Sequence, residues 1–153
     1  MAIIKQTTLT SIGTILSTEM NSIANAGLSN AGSTIDLRTT NRYTSYTVRW
    51  TNSNTFGSPP SSGGAIVLYA LPSTDGTNFP LGSSSVLPSD NFRIATFLLS
   101  TVTTAGQLIT VPDIPGTVLL PLQTRFMIRN LSGQTLPSSG NTIELFGINI
   151  ESA

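Results

Sequence analysis

The stretch "YTSYTVRWT", residues 43–51, contains the side-chain alternation that decides the fold. Large apolar side chains recur there at every second position, at Tyr46, Val48 and Trp50, with polar residues between them. Successive side chains of an extended strand point to opposite faces, so these three residues share one face. The pattern predicts a strand that packs one face against a core and exposes the other.

Five further stretches after residue 60 have the composition of strands. They are "AIVLYAL" (65–71), "FRIATFLL" (92–99), "QLITV" (107–111), "VLLPLQTRFMIRN" (118–130) and "TIELFGINI" (142–150). Loops rich in Gly, Pro and Ser separate them, and no helical pattern follows residue 41. "AIVLYAL" is apolar throughout, which predicts a strand buried on both faces. The sequence therefore predicts an all-β fold over residues 42–153, an antiparallel β-sandwich or jelly roll.

The phase of the alternation also predicts which side chains form the core. They are Tyr46, Val48, Trp50, Ile66, Leu68, Phe97, Leu99, Phe126, Ile128, Ile143 and Leu145. Gly147 interrupts the last alternation and predicts a β-bulge. Trp50 has a second interpretation, as an exposed platform on which a sugar ring stacks, but its phase favours the core.

Residues 1–41 have a different pattern and predict an N-terminal arm. Five apolar residues fall there at helical spacing: Ile12, Ile15, Leu16, Met20 and Ile23. Together with Gly27 in a helix-terminating position, they predict a short helix over residues 14–26, followed by a polar connector. The apolar side of such a helix needs cover. Two interpretations stay open: the helix packs on the sandwich core, or the arm docks on a neighbouring subunit.

Charged residues are scarce, at 9% of the chain, against about 25% in an average soluble domain. Hydroxyl and amide side chains take their place, with 20 Ser, 23 Thr and 11 Asn. Low charge weakens the solubility of a free monomer, which favours a protein that packs against its own copies or a partner. The seven basic residues balance seven acidic ones without a basic run, so we expect no nucleic-acid partner. The longest apolar run is too short to cross a bilayer, so we expect no membrane partner.

The residue types that usually carry catalysis are few. The chain has no His and no Cys, and Lys5 is its single lysine. The seven carboxylates stand apart in the sequence: Glu19, Asp36, Asp75, Asp90, Asp113, Glu144 and Glu151. A glycosidase needs two carboxylates that face one cleft, and no sequence pattern pairs any of these. The inventory predicts a protein that is not an enzyme and that binds no metal or other cofactor.

Two short motifs resemble functional sites but have simpler interpretations. Asp75 in "STDGTN" (73–78) offers one carboxylate, whereas calcium needs several oxygen ligands, so we predict a tight turn in which Asp75 bonds its own backbone. "NLS" (130–132) matches a glycosylation sequon, but residues 1–10 lack the apolar run of a signal peptide, so we expect no secretion. It is therefore also interpreted as a turn.

Three stretches resemble small structural proteins of tailed bacteriophage virions. They are "STEMNSIANAG" (17–27), "VLYALPSTDGTNFPLGSSS" (67–85) and "FMIRNLSGQTLPSSGNTIEL" (126–145). The resemblance implies a β-sandwich virion component of the capsid decoration or cement type, located on the head surface and made in the host cytoplasm. It also implies a homo-oligomer, a trimer, that binds the major capsid protein. The family offers no catalytic residues.

Two hypotheses about function follow. In the first, the chain stabilises an assembled phage head, and the five apolar residues of the arm contact a partner. Arg49, Arg125 and Arg129 then line one exposed or intersubunit face of the sheet. Two interpretations stay open: at least one pairs with a partner's carboxylate, or all three are solvated. In the second, the chain is a tail, neck or fibre component with a carbohydrate-binding sandwich that uses Trp or Tyr platforms.

Overall fold

The computed structural model describes residues 4–6, 9–39, 41–116 and 122–152. Within them the chain forms ten strands and two single-turn 3-10 helices, Thr18–Met20 and Asp90–Phe92. The strands are β1 (Ile4–Gln6), β2 (Thr10–Leu16), β3 (Ile35–Asp36), β4 (Ser45–Asn52), β5 (Ala65–Ser73), β6 (Arg93–Leu98), β7 (Leu108–Pro115), β8 (Gln123–Leu131), β9 (Asn141–Ile148) and β10 (Ile150–Ser152).

Eight of these strands form two four-stranded sheets. Sheet I has the order β2-β9-β4-β7, and sheet II has the order β3-β8-β5-β6. Every pairing is antiparallel, and β1 pairs separately with β10. One apolar cluster contains side chains from both sheets, so the sheets pack face to face. The predicted all-β antiparallel sandwich is confirmed. Part of the predicted strand 118–130, residues 118–121, lies outside the described residues.

All eleven side chains predicted for the core are buried. Trp50, at the centre, has no exposed surface, and its ring lies 6.5 Å from the rings of both Phe56 and Phe97. Its exposed-platform interpretation is therefore wrong. Strand β5 is buried on both faces, as its unbroken apolar sequence predicts.

Gly147 does not form a bulge in β9. It pairs in regular register with Tyr46 of β4, and the irregularities of sheet I lie in β2 and between β4 and β7. A Cβ atom at residue 147 would overlap the ring of Tyr43. Glycine therefore lets this ring lie directly against the β9 backbone, edge-on to Tyr46 at 6.0 Å.

The predicted helix over residues 14–26 is wrong. Residues Thr10–Leu16 form strand β2 along β9, and only the single turn Thr18–Met20 is helical. Four of the seven residues of β2 are β-branched, a composition that disfavours a helix and suits a strand. Gly13, at φ 133°, adopts a conformation that a helix cannot contain.

Residues 10–39 belong to the sandwich, which corrects the expectation of a separate arm over residues 1–41. Strand β2 is an edge of sheet I and β3 an edge of sheet II. Between them the chain follows β8, where Ser29 and Gly32 donate backbone hydrogen bonds to the carbonyls of Ile128 and Phe126. Residues 10–39 are therefore not an independent unit, and residue 41 is not a domain boundary.

The first prediction concerns Met20, which is fully buried in this N-terminal segment. We expect Met20→Ala to lower the free energy of unfolding by about 2–5 kcal/mol, because it leaves a cavity in the core. The neighbouring exposed Thr18→Ala should change it by less than about 0.5 kcal/mol. Urea denaturation measures both. A Met20→Ala variant as stable as the wild type would show that this segment detaches from the core in solution.

Candidate interaction surface

The outer face of sheet I is mainly polar, with Leu108 exposed on its edge strand β7. Arg49 of β4 lies beside Glu144 of β9, and its Nε and Nη2 atoms donate to Glu144 Oε2 at 3.0 and 2.7 Å. The same guanidinium lies 4.9 Å from the centre of the Phe146 ring. Threonines from β4 and β9 surround the pair, at positions 47, 51 and 142. This face therefore satisfies its charges within the chain.

The outer face of sheet II combines an apolar cluster with Arg93, Arg125 and Arg129. A second buried cluster lies there, formed by Val67, Tyr69, Leu71 and Met127. Leu28 and Phe92 pack against it from outside the sheet. The loop between β5 and β6 also lies over this cluster, because a Cβ atom at Gly82 would lie 2.8 Å from Met127 Sδ and 3.0 Å from Leu71 Cδ1. Glycine thus permits the close approach of the loop to the sheet.

This loop presents apolar side chains to solvent at one end of sheet II. Leu81 is 82% exposed, and Val86 and Leu87 are 44% and 46% exposed. The loop is not extended, because the backbones of Ser83 and Val86 exchange two hydrogen bonds of 3.1 and 3.2 Å. Its leucines therefore project from a structured turn.

A second exposed apolar group lies at the opposite end of sheet II. Leu98 of β6 and Leu131 of β8 both pair with Ala65 of β5, so the three residues form one row across the sheet. Ala65 shares the outward phase of Val67, which places the row on the outer face. Leu98 is 69% exposed and Leu131 is 38% exposed.

Polar side chains lie between the two apolar ends. Arg93 Nε and Nη2 donate to Thr96 Oγ1 at 3.1 and 2.7 Å. Burial raises the pKa of Tyr69, and the nearby Asp90 carboxylate adds to the rise. We define the sheet II surface as this outer side: Leu81, Val86, Leu87, Arg93, Thr96, Leu98 and Leu131.

The sheet II surface holds most of the exposed large apolar side chains of the described residues. The others are Leu9, Val102 and Leu108. Sequence reasoning did not single out this surface, although one signal was present. In "FRIATFLL" the core positions Phe97 and Leu99 put Leu98 on the outer face. The loop leucines gave no such signal, because their segment has no periodicity.

The three arginines predicted to share a face lie on opposite sides of the sandwich, so that prediction is wrong. Arg49 lies on the outer face of sheet I, whereas Arg125 and Arg129 flank Met127 on the outer face of sheet II. Arg125 already has partners in its own chain, since its Nε donates to Thr34 Oγ1 at 3.0 Å and its guanidinium lies 4.1 Å from the Phe79 ring centre. A contact between any of the three and a partner stays a prediction.

The apolar residues predicted to contact a partner lie in the chain's own core. Ile15, Leu16, Met20 and Ile23 are at most 9% exposed, and Ile12 is partly buried against the same cluster. This corrects the partner-contact role for the four buried residues, since β2 turns them toward the sandwich interior. Of the two interpretations of this apolar segment, packing on the sandwich core is therefore correct, rather than docking on a neighbouring subunit.

Asp75 forms a self-contained turn, as predicted. Its Oδ1 accepts from the backbone N–H groups of Thr77 and Asn78 and from the Ser73 hydroxyl, each at 2.8 Å. Its Oδ2 accepts from Asn78 Nδ2 at 2.6 Å. The Asn78 backbone N–H, followed by the other donors, holds the pKa of Asp75 well below its usual range. The carboxylate is fully used by its own turn.

The second prediction is a pH dependence of this turn. Because folding lowers the pKa of Asp75, its contribution to stability is full above the unfolded-state pKa of about 3.9 and declines as the pH falls below it. We expect hydrogen exchange at the amides of Thr77 and Asn78 to lose protection as the pH falls from about 4 to 2. NMR-detected exchange measures this. Asp75→Asn should show low protection at every pH; equal profiles for the two proteins would contradict the prediction.

The remaining motif is the sequon "NLS". Asn130 is the penultimate residue of strand β8 and has no exposed surface. Its Nδ2 donates to the carbonyls of Ile23, Ala24 and Gln134 at 2.9, 3.2 and 2.7 Å. The prediction of a turn over 130–132 is therefore wrong for its first two residues, because Asn130 and Leu131 belong to β8 and only Ser132 lies in the bend that follows. The Asn130 amide connects the N-terminal segment to the loop after β8.

Two kinds of site are absent from the described residues, clusters of metal ligands and membrane-spanning helices. No group of three or more His, Cys, Asp or Glu residues lies close enough there to hold a metal ion. No helix in the same part of the chain is long and apolar enough to cross a membrane. The potential stacking platforms Trp50, Tyr46 and Tyr69 are all buried, and Tyr43 is partly covered.

Comparison with known proteins gives little further information. No family model and no curated protein sequence matches the chain. One solved structure that is similar belongs to work described as "Structural basis for the promiscuous specificity of the carbohydrate-binding modules from the beta-sandwich super family". The similarity covers 98% of this chain and 56% of that one, at 14% sequence identity and a TM-score of 0.33. This chain thus spans little more than half the length of that protein, and a TM-score so low carries no functional argument.

Proposed function

We propose that the chain is a structural protein of a tailed-bacteriophage virion. In this role it is a decoration or cement protein that binds the assembled head lattice and stabilises it. Its partners are the major capsid protein and further copies of itself, and it catalyses no reaction. The sheet II surface is the side that docks. The sequence resemblance supports the proposed family, and the exposed leucines of the sheet II surface support the proposed docking.

The observation that carries the proposal is the difference between the two outer faces. Sheet I pairs Arg49 with Glu144 and otherwise presents threonines, the Phe146 ring and one exposed leucine, Leu108, on its edge strand β7. Sheet II presents exposed leucines at both ends, with Leu81 at 82% and Leu98 at 69%. Exposed apolar groups collected on one side of a domain favour a protein interface, whereas scattered ones carry no such meaning. A subunit that lies flat on a lattice needs one face of this kind.

The strand order supports the same proposal. The sheets β2-β9-β4-β7 and β3-β8-β5-β6 follow the order of an eight-stranded jelly roll, in which the chain crosses repeatedly between two sheets. Viral capsid proteins and lectins both use this architecture. Because one fold hosts many functions, the strand order is support by analogy only.

The third prediction tests the docking face with a matched pair of variants. Leu98 on β6 and Thr110 on β7 are both exposed residues on edge strands, but they lie on opposite outer faces. We expect Leu98→Glu to lower the copy number per particle by about tenfold or more, because a carboxylate buried without a partner costs several kcal/mol. Thr110→Glu should leave the copy number unchanged. Mass spectrometry of purified particles measures the ratio to the major capsid protein.

Two results of that comparison would contradict the proposal. Complete occupancy by both variants would show that the sheet II surface does not dock. Absence of the wild-type chain from purified particles would exclude the virion role altogether.

The fourth prediction concerns the strength of the particle. A protein that binds only the assembled lattice stabilises it by mass action, and many copies add their contributions. Particles without the chain should therefore assemble but release their DNA at a lower temperature or at milder osmotic shock. Fluorescence of a DNA-binding dye during heating measures the release. Equal release temperatures with and without the chain would argue against a cement role.

The alternative, a carbohydrate-binding component of a tail, neck or fibre, has less support from the described residues. Stacking on a sugar requires an exposed aromatic face, and Trp50, Tyr46 and Tyr69 are at most 2% exposed. The rings of Phe79 and Phe146 lie beneath arginines. Specific binding on a glycan array, at a site that Leu98→Glu leaves intact, would favour this alternative over the cement role.

A further inference from the structure

Three buried polar atoms at one end of the sandwich core have no hydrogen-bond partner in the chain. They are Trp50 Nε1, Asn52 Nδ2 and Asn141 Oδ1. Their residues are at most 2% exposed. Buried polar groups are almost always hydrogen-bonded, because an unmade bond leaves the full cost of removing the group from water. Three such atoms, on two residues of β4 and one of β9, therefore need an explanation.

The orientation of both amides is fixed by backbone groups. Asn52 Oδ1 accepts from the backbone N–H of Asn54 at 2.9 Å, and an N–H can only donate. Asn141 Nδ2 donates to the Pro137 carbonyl at 2.8 Å, which can only accept. Rotating either amide by 180° would break its bond. The free atoms are therefore a donor on Asn52 and an acceptor on Asn141.

The sheet register brings these two free atoms close together. Asn52 and Asn141 are direct partners across β4 and β9. The next residue, Ser53, donates its backbone N–H to the Gly140 carbonyl at 3.0 Å, which makes Asn52 and Asn141 a non-hydrogen-bonded pair. In such pairs the Cα atoms approach to about 4.5 Å and the side chains are closest. Both side chains share the inward phase of Trp50 and Ile143.

Trp50 approaches the same place from the adjacent row. Its Cα lies two residues before that of Asn52, about 7 Å along β4. Its ring packs against Phe56, which follows β4 beyond Asn52, so the indole extends toward the end of the core that holds the amides. The free Nε1–H of Trp50 is thus a second unpaired donor, on the inward-facing residue next to Asn52 along β4.

We propose that this end of the core is a binding site for an internal water molecule. The water oxygen accepts hydrogen bonds from Trp50 Nε1 and Asn52 Nδ2, and one of its hydrogens is donated to Asn141 Oδ1. Three partners are the usual number for a buried water. Because Asn141 Nδ2 also donates to Asn21 Oδ1 at 3.1 Å, the water joins β4 and β9 to the N-terminal segment. It fixes the end of the sandwich from within.

The experiment uses the single tryptophan of the chain, which gives one indole N–H signal in a nitrogen-15 NMR spectrum. For the full-length wild-type protein we expect a cross-peak between this proton and water, with opposite signs in laboratory-frame and rotating-frame spectra. That sign pattern identifies a water held in place rather than proton exchange. A high-resolution crystal structure should show the same water between the two amides. No cross-peak, or a direct bond from Asn52 Nδ2 to Asn141 Oδ1, would overturn the proposal.

Two variants assign the site. Asn52→Leu removes the donor and fills its space with apolar atoms, so the cross-peak should disappear. Asn54→Ala is the matched control, because it removes an exposed side chain that bonds Ser139 but keeps the backbone N–H that orients Asn52. Its cross-peak should persist. A cross-peak that survives in folded Asn52→Leu would also overturn the proposal, and if this variant does not fold, the wild-type spectrum and crystal structure decide alone.

Discussion

Strand β5 has large apolar side chains on both of its faces, and each face must be covered for the chain to fold. The inward side chains meet sheet I, which supplies the main core. The outward side chains of Val67, Tyr69 and Leu71 have no third sheet to meet. The chain covers them with single residues from distant segments, Leu28 and Phe92, and with the loop that contains Gly82. The route of the N-terminal segment and the position of the β5–β6 loop both follow from this requirement.

The strands and their phase could be predicted from sequence because they depend on neighbouring residues. A period of two is visible within a few positions, and it assigned every predicted core residue correctly, from Tyr46 to Leu145. The turn at Asp75 could be predicted for the same reason, since its partners lie within three residues. Local chemistry decides such features before the rest of the chain is known.

The remaining features depend on contacts between residues far apart in sequence. The segment 10–16 has apolar residues whose spacing fits a helix, but the unpaired edge of β9 recruits it as a strand. The β-branched composition of this segment favours a strand, but its pairing with β9 cannot be derived from the sequence alone. The sheet II surface has the same cause: the exposure of Leu81 follows from where Gly82 meets Met127, a contact across more than 40 residues. The periodicity of apolar residues gives no information about contacts between residues so far apart in sequence.

The amide of Asn130 has a consequence for producing the protein. Its two N–H hydrogens serve three backbone carbonyls, and the side chain has no exposed surface. A sugar attached to Nδ2 would take one of these hydrogens and would not fit within the closed end of β8. A eukaryotic secretory pathway modifies such sequons on chains that are still unfolded, so glycan transfer and folding would compete for the same nitrogen. Molecules modified first could not close the sandwich, which makes a host without this modification the suitable source of the protein.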